Sequence, residues 1–335
     1  MANSTHTLPT GPILIATSAY DWPCIEHTVS LLKGHGYELL LFNSDEIANG
    51  AKQFSMHIST SGIPTFIYED KQVDPSKIQA AWYRRPNIFG LDETPLRAYS
   101  LNQEYRELQR FFWDSIPPRA WFNDPVYMRA ANNKLSQLTL ARKLGFIIPE
   151  TVVSNKWNDI TALRAQTLTF KMPCSGTLYM GSEPPKGMGS TTLANDPAEL
   201  PLHALPYPGL WQRHIPKKRE WRVAVVGKQY FSTSIYTHND AKDDWRKHQD
   251  NPELVQFAVE SFPAELGVKC CEYVKQYGLT YGAFDFVEQP DGTIVFLEMN
   301  TNGQFIHLEG AAMPVSEAIA NELAQTLERN RATQQ

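Results

Sequence analysis

The segment from Tyr281 to Asn300 constrains the fold of this chain more than any other segment. It reads YGAFDFVEQPDGTIVFLEMN, with two runs of strand-forming residues on either side of Asp291-Gly292. An Asp-Gly pair between such runs is the strongest short-range indication of a β-hairpin. If Asp291 and Gly292 form a two-residue loop, counting back along the ladder places Asp285 directly opposite Glu298. The sequence therefore predicts a hairpin with two facing carboxylates.

A third polar side chain joins this pair. Asn300 lies two residues beyond Glu298, so it projects from the same face of the strand. Carboxylates on cross-strand neighbours, whose Cβ atoms are about 4.5–5.5 Å apart, repel each other unless a cation lies between them. A set of oxygen ligands suits Mg²⁺. Asp285, Glu298 and Asn300 thus predict a magnesium site and a nucleotide-using enzyme. The alternative, still open here, is that the two carboxylates are ordinary charges on a solvent-exposed sheet face.

Composition excludes several classes of protein. The 335 residues are 42% hydrophobic and 20% charged, as in a globular protein with room for two or three lobes. The net charge of −5 provides no basic excess for binding nucleic acid. No apolar run approaches the roughly 18 residues of a membrane span, and the polar N-terminus lacks a secretory signal. The four cysteines have no zinc-site spacing. We expect a cytoplasmic protein with reduced thiols.

The order of elements predicts an α/β protein with α+β lobes. A short apolar strand at residues 12–17, a helix at about 23–33 and a strand at 37–43 indicate a parallel, Rossmann-like unit. No Gly-x-Gly-x-x-Gly follows the first strand, which argues against dinucleotide binding. We place domain boundaries at residues 1–122, 123–209 and 210–335; the second domain contains a glycine-rich loop.

Two lysines are candidates for binding phosphate. Lys171 ends an apolar strand, where an ammonium group is expected to face a cleft. The glycine-rich stretch that follows it, residues 173–189, could lay backbone N–H groups against phosphates. Lys134 lies on the opposite helical face from Leu135 and Leu138. A mobile surface loop and a solvated lysine are the competing interpretations for the stretch and for Lys134.

Two further segments are candidates for the same site. A strand at Gln212-Arg213-His214-Ile215 could offer backbone groups to a base. Arg222 lies within an apolar strand, where a guanidinium usually has an anionic partner. That partner is either a phosphate or, in a structural ion pair, Glu220 or Asp285.

These motifs, taken together and in order, resemble the ATP-grasp superfamily of carboxylate–amine ligases. The resemblance covers residues 123–325 and rests on Asn133-Lys134, residues 145–151, Phe170-Lys171, residues 212–215, Glu220-Trp-Arg222, Asp285 and Phe296-Leu-Glu-Met-Asn300. It implies an ATP-grasp fold that follows an N-terminal pre-ATP-grasp domain, with ATP and Mg²⁺ as cofactors. It also implies that Asp285, Glu298 and Asn300 hold magnesium, that Lys134 and Lys171 contact phosphates, that Gln212, Arg213, His214 and Ile215 line the adenine pocket, and that Arg222 contacts phosphate or the acyl group.

A narrower resemblance concerns the acceptor. Trp82-Tyr-Arg-Arg-Pro86 and Glu298-Met-Asn-Thr-Asn-Gly-Gln304 look like segments of the graspetide (microviridin and marinostatin type) synthetases. It implies that Glu or Asp side chains of a ribosomally made precursor peptide, bound through its leader, are joined to Ser/Thr as esters or to Lys as amides. Alternatives are a ligase for small molecules or amino acids and a non-catalytic ATP-binding regulatory protein.

Two expectations about partners remain. Arg84 and Arg85 either engage acidic side chains of the precursor or are ion-paired inside the N-terminal lobe. His307 and Glu309 lie near the nucleophile or are simple surface residues. For the assembly of the protein we consider a homodimer.

Overall fold

The computed structural model describes residues 12–62, 64–86, 95–163, 167–171, 178–179, 187–188, 191–194, 208–238, 251–310 and 312–333. Its strands are β1 (Ile13–Thr17), β2 (Leu39–Asn43), β3 (Phe54–Ile58), β4 (Pro64–Tyr68), β5 (Lys71–Val73), β6 (Ala80–Tyr83), β7 (Thr151–Ser154), β8 (Leu168–Lys171), β9 (Leu178–Tyr179), β10 (Gly187–Met188), β11 (Thr191–Ala194), β12 (Gly209–Arg213), β13 (Arg219–Val226), β14 (Gln229–Thr237), β15 (Val255–Ala258), β16 (Tyr281–Glu288) and β17 (Ile294–Asn300). Its helices are α1 (Trp22–Gly34), α2 (Ser44–Ala48), α3 (Pro95–Asp114), α4 (Pro125–Ala131), α5 (Lys134–Lys143), α6 (Trp157–Thr161), α7 (Ala264–Gln276), α8 (Ile306–Gly310) and α9 (Val315–Ala332).

The N-terminal lobe contains the parallel unit that the sequence predicts. Strands β2, β1 and β6 lie side by side in that order, and both pairings of β1 are parallel. Every residue of β1 is buried, as its continuous apolar sequence requires of a strand covered on both faces. Helix α1 makes the crossover from β1 to β2, so strand, helix and strand follow the predicted order.

The central sheet is antiparallel and has the described order β11-β8-β12-β7. Strand β12 pairs with both β7 and β8, with Gln212 opposite Thr151 and Thr169. The division between this sheet and the C-terminal sheet therefore falls after Arg213, a few residues beyond the start at residue 210 that we expected for the third domain.

The C-terminal sheet is antiparallel, with the order β15-β14-β13-β16-β17. Its last two strands form the predicted hairpin, and Asp285 pairs with Glu298 as predicted. The loop, however, has three residues rather than two, because Gln289 N–H donates to the Thr293 carbonyl at 2.8 Å. A β-bulge between Asp285 and Phe286 restores the predicted pairing further along the ladder.

The bulge changes which side chains face the core. Phe286 pairs with Phe296, and both are buried in one cluster with Phe284 and Met299. Strict alternation from the predicted two-residue loop would have placed Leu297 there instead. A bulged strand has one extra residue against its partner, so the alternation shifts by one at that position.

Residues 124–145, whose apolar spacing predicts one helix that begins at an Asp-Pro cap and ends at Gly145, form two helices instead. Asn132 is the C-cap of the first, and Asn133 is the N-cap of the second, since the Oδ1 of Asn133 accepts hydrogen bonds from the N–H groups of Leu135 and Ser136. As a consequence Leu135 is exposed, and Gln137 takes a buried place beside Leu138. Helices α4 and α5 pack against the C-terminal sheet in one hydrophobic cluster, although the chain reaches them before the central sheet.

The first and last parts of the chain share one core. Ile15 and Trp82 of the N-terminal sheet pack in the same cluster as Ala283 of the C-terminal sheet and Leu323 of α9. Helix α9 contacts α1, β6 and β13. The N-terminal lobe is therefore packed directly onto the sheet that carries the facing carboxylates. Across the described ranges, the helices are too short or too polar to pass through a lipid bilayer.

A carboxylate at the end of β16 collects three donors. Glu288 accepts hydrogen bonds from Lys218 Nζ at 3.1 Å, Arg219 Nε at 2.7 Å and Trp221 Nε1 at 3.0 Å. Burial alone raises the pKa of Glu288, but these donors outweigh it and lower the pKa below its ordinary value. The ionised form is thus favoured by the folded state.

We expect the substitution Glu288→Gln to lower the melting temperature at pH 7 and to have a smaller effect near pH 3. A lowered pKa contributes stability above the unfolded-state pKa, and this stability disappears as the pH falls through the folded-state pKa. Loss of charge-assisted hydrogen bonds corresponds to about 1–3 kcal/mol at neutral pH. Thermal unfolding from pH 3 to pH 7 measures this, with the exposed Glu253→Gln as control. A difference from wild type that is independent of pH contradicts the assignment.

Candidate functional site

The site is built on one row of residues across the C-terminal sheet. Arg222 on β13 pairs with Asp285 on β16, and Asp285 pairs with Glu298 on β17. Directly paired residues project from the same face, so the three charged side chains lie next to each other. Arg222 Nη1 donates to Asp285 Oδ1 at 2.7 Å, and only 6% of the Arg222 surface and 4% of the Asp285 surface are exposed. Of the two partners considered for Arg222 in a structural ion pair, the structure selects Asp285.

Helix α5 provides a second cation and fixes the edge strand. Lys134 Nζ lies 3.0 Å from Glu298 Oε2, with only 12% of its side chain exposed. One turn later on the same face, Gln137 accepts the Met299 N–H at 3.0 Å and donates to the Met299 carbonyl at 2.7 Å. The carboxamide thus pairs with β17 at the residue between Glu298 and Asn300. Lys134 is consequently part of the site rather than a solvated surface lysine.

The three predicted metal ligands converge. Asn300 Nδ2 lies 3.3 Å from Asp285 Oδ2 and 3.2 Å from Glu298 Oε1. The amide NH₂ group therefore bridges the two carboxylates at the position where a cation would neutralise them. Turning the amide by half a rotation presents Oδ1 instead, and the two orientations are equivalent in shape. This donor set of oxygens fits a divalent cation such as Mg²⁺.

The loop after Asn300 is held through its main-chain carbonyls. Arg222 Nε and Nη2 donate to the Gln304 carbonyl at 3.3 and 2.9 Å. The Tyr281 hydroxyl donates to the Gly303 carbonyl at 2.8 Å, and burial raises the pKa of Tyr281 to about 12. A Cβ atom on Gly303 would lie 2.3 Å from Ala283 Cβ and 2.7 Å from Arg222 Nη2. Only glycine allows the loop to approach this closely.

The paired arginines of the N-terminal lobe reach the same loop. Arg84 has no exposed surface, and its guanidinium forms an ion pair with Asp21 at 2.7 Å and donates to the Asn302 carbonyl at 2.7 Å. Arg85 donates to that carbonyl from Nε and Nη2 at 3.1 and 2.8 Å, and 26% of its side chain is exposed. Of the two expectations for Arg84, the structure has the internal ion pair, so an acidic peptide side chain does not reach it in this conformation.

Lys171 lies in the central sheet, not in the row of carboxylates. It ends β8 opposite Leu210 and Thr191, and 7% of its surface is exposed. Its predicted contact with phosphate stays a prediction. The glycine-rich stretch after it falls largely outside the described residues. Within it, β9 and β10 pair as a short antiparallel ladder.

The segment predicted to line the adenine pocket runs along and beyond β12. Gln212 is buried and donates to Thr151 Oγ1 at 3.0 Å, whereas Arg213 donates to Glu150 at 2.9 Å from an exposed position. The strand ends at Arg213, so His214 and Ile215 follow it. The N–H groups of Arg213 and His214 already donate to main-chain carbonyls of Glu150 and Thr167. A nucleotide base bound here would therefore hydrogen-bond to other backbone groups.

The two polar residues after the hairpin have separate environments. The ring of His307 stacks on Phe257 with centroids 4.5 Å apart. Phe257 pairs with Ile235 on β14. Glu309 instead pairs with His27 at 3.3 Å and accepts the N–H of Ser316, at the start of α9. Glu309 thus connects helices of the shared core.

The sequence did not single out several residues that the structure places at the site. Gln137 could have been found, because it is three residues after Lys134 and therefore lies on the same helical face. Asp21 follows the carboxyl end of a parallel strand, which is a usual place for functional polar residues. Asn123, whose Nδ2 donates to the carbonyls of Tyr281 and Thr301, lies in a connection that offered no periodic pattern.

Comparison with known proteins assigns the fold. Residues 12–129 match the family described as the MvdD pre-ATP-grasp domain. A Chryseobacterium gregarium RiPP-associated ATP-grasp ligase in complex with ADP, and a leader and core peptide, is 26% identical, with a TM-score of 0.78 over 94% of this chain and 97% of that chain. The macrocyclase MdnC bound with precursor peptide MdnA, from Microcystis aeruginosa MRC, is 26% identical, with a TM-score of 0.75 over 94% and 99%.

The chain has the ATP-grasp fold. The macrocyclase MdnB from the same Microcystis strain agrees, with 26% identity and a TM-score of 0.71 over 94% of this chain and 99% of that chain. Among curated proteins no relative matches the sequence. The predicted fold class and the resemblance to graspetide synthetases are confirmed, and this ATP-grasp chain is similar to RiPP-associated ligases over most of its length. The homodimer stays a prediction.

We expect Gly303→Ala to destabilise the protein and displace the loop after Asn300, because the added methyl group overlaps Ala283 and the Arg222 guanidinium. Overpacking of this kind typically costs about 1–3 kcal/mol. Gly310→Ala is the matched control, since a Cβ atom there has no neighbour within 4 Å. Thermal unfolding of the two variants measures the difference. Equal melting temperatures for the two variants would contradict the close approach seen here.

Proposed function

We propose that this chain is an ATP- and Mg²⁺-dependent ligase that crosslinks a ribosomally made precursor peptide. It activates Glu or Asp side chains as acyl phosphates and joins them to Ser/Thr hydroxyls as esters or to Lys amines as amides. The observation that carries this proposal is the convergence of Asp285, Glu298 and Asn300, with Lys134 and Arg222 around them. Similarity to a ligase in complex with ADP, and a leader and core peptide, supports it.

The three convergent side chains suit the proposed cofactor. Asp285, Glu298 and Asn300 would hold Mg²⁺, which when bound supplies positive charge to the phosphate oxygens of ATP. Lys134 lies beside Glu298 and can turn to a phosphate once the cation neutralises that carboxylate. Lys171 would approach the phosphates from the central sheet, and the segment from Gln212 to Ile215 would line the base pocket.

The proposed reaction has two steps. An oxygen of the peptide carboxylate attacks the γ-phosphorus of ATP, the bond to the bridging oxygen breaks and ADP leaves. The hydroxyl or amine then attacks the acyl carbon, its proton is released and phosphate leaves, so each link removes one water from the peptide. Arg222 would stabilise the charge that develops on the transferred phosphoryl group, and the enzyme contributes mainly orientation and charge.

The carboxylate row is tested by Asp285→Asn and Glu298→Gln. Each change keeps the shape but removes one negative charge, so we expect turnover to fall by about 10²-fold or more while the fold persists. Glu265→Gln, an exposed carboxylate on α7 whose side chain is 81% exposed, is the control and should retain activity. ADP release and circular dichroism measure the two effects. Unchanged ADP release in both site variants removes the metal assignment.

The acceptor is tested by mass spectrometry of a candidate precursor, incubated with the enzyme, ATP and Mg²⁺. The candidate is sought among short open reading frames beside the gene, as a peptide rich in Thr, Ser, Lys and acidic residues. The expected product has lost one water per link, and tandem spectra separate esters from amides because mild base cleaves only esters. A peptide of unchanged mass, together with ADP release on a small carboxylic acid or amino acid, would instead support a small-molecule ligase.

A further inference from the structure

We infer that Arg84 and Arg85 of the N-terminal lobe are positioning residues for the metal site, acting through the carbonyls of Asn302 and Gly303. This inference rests on the proposed function, because it assigns a role in holding the metal ligand Asn300. It means that the pre-ATP-grasp domain contributes to the nucleotide site.

Consecutive carbonyls of the loop after Asn300 point at side-chain donors. The Thr301 carbonyl accepts from Asn123, the Asn302 carbonyl from Arg84 and Arg85, the Gly303 carbonyl from Arg84 and Tyr281, and the Gln304 carbonyl from Arg222. Three of these four carbonyls face guanidinium groups. A carbonyl that accepts from a charged donor is held more strongly than one that accepts from a neutral donor. The loop is therefore fixed from both lobes at once.

The Arg84 guanidinium uses each of its five N–H bonds within the protein. Nε and Nη2 donate to the two Asp21 oxygens, Nη2 also lies 3.4 Å from Cys24 Sγ, and Nη1 donates to the Asn302 and Gly303 carbonyls at 2.7 and 3.1 Å. Burial alone lowers the pKa of Arg84, but the attraction of Asp21 outweighs it and raises the pKa. A group so fully bonded has no donor left for a substrate, which is why we assign it to positioning.

Arg85 is the partly exposed member of this pair of arginines. Its Nε and Nη2 both donate to the Asn302 carbonyl, two residues beyond Asn300. Burial and the neighbouring charge of Arg84 lower the pKa of Arg85. Two guanidinium groups thus converge on one carbonyl despite their mutual repulsion. Two like charges stay this close only where an opposite charge offsets their repulsion. Here the Asp21 carboxylate, 3.7 Å from Arg85 Nη1, provides that charge.

Arg84 and Arg85 act on the metal site through the backbone of the loop after Asn300. Asn300 is fixed on one side by the contact of Gln137 with Met299 and on the other by the loop from Thr301 to Gln304. Releasing the Asn302 carbonyl frees the second side, so the Asn300 amide loses its fixed place opposite the two carboxylates. Weaker binding of the cation follows, because a preorganised ligand set binds more tightly than a mobile one.

The test compares binding of Mn²⁺ and ADP by calorimetry, with Mn²⁺ also followed by electron paramagnetic resonance. Arg85→Gln is the main variant, because Arg85 is partly exposed and Asp21 keeps its ion pair with Arg84 when Arg85 is replaced. Arg85→Lys keeps the charge and one donor. Arg110→Gln, on α3 of the same lobe, is the matched control, because the ion-pair partners of Arg110 within the described part of the chain are Glu107 and Asp114.

We expect Arg85→Gln to weaken Mn²⁺ binding in the presence of ADP by about tenfold, with a smaller change for Arg85→Lys and none for Arg110→Gln. Affinity for the precursor's leader should stay the same, which a general loss of structure would not allow. Wild-type affinity in Arg85→Gln, or equal losses in Arg85→Gln and Arg110→Gln, would overturn the inference and leave the proposed function intact. Absence of Mn²⁺ and ADP binding by the wild-type protein would overturn both.

Discussion

Two facing carboxylates on neighbouring strands impose the constraint around which the rest of this molecule is arranged. Asp285 and Glu298 are adjacent in one row of a largely buried sheet face, where their repulsion is not screened by bulk water. The structure places a guanidinium beside one carboxylate, an ammonium beside the other and an amide between the two. Arg222, Lys134 and Asn300 are therefore explained together, by one electrostatic requirement.

The same requirement accounts for how the lobes are joined. Arg222 not only neutralises Asp285 but also holds the Gln304 carbonyl, and the neighbouring carbonyls are held by arginines from the first lobe. Helix α9 packs on both lobes behind this loop. A site that depends on donors from separate parts of the chain needs those parts to be rigidly packed, and the shared hydrophobic core supplies that rigidity.

The sequence predicted the hairpin, its facing carboxylates and the convergence of Asn300, because alternation and the Asp-Gly turn are local signals. It did not predict the loop length or the bulge. Pro290 has no N–H and Asp291 accepts the N–H of Thr293, so the turn takes a third residue, and the bulge then compensates for it. The predicted pair was correct because two deviations of one residue cancelled. Helical spacing could place Gln137 on the face of Lys134, and strand order could place Asp21 at a sheet edge. Their partners, like those of Arg84, lie on distant segments, and no local pattern contains such contacts.

The proposed function requires a divalent cation between Asp285, Glu298 and Asn300. The most direct measurement is anomalous diffraction from a crystal grown with Mn²⁺ and ADP. We expect a strong anomalous peak at roughly 2.1–2.3 Å from oxygens of all three side chains, with the Asn300 amide turned so that Oδ1 faces the ion. A peak elsewhere, with Asn300 Nδ2 still bridging the two carboxylates, would contradict it.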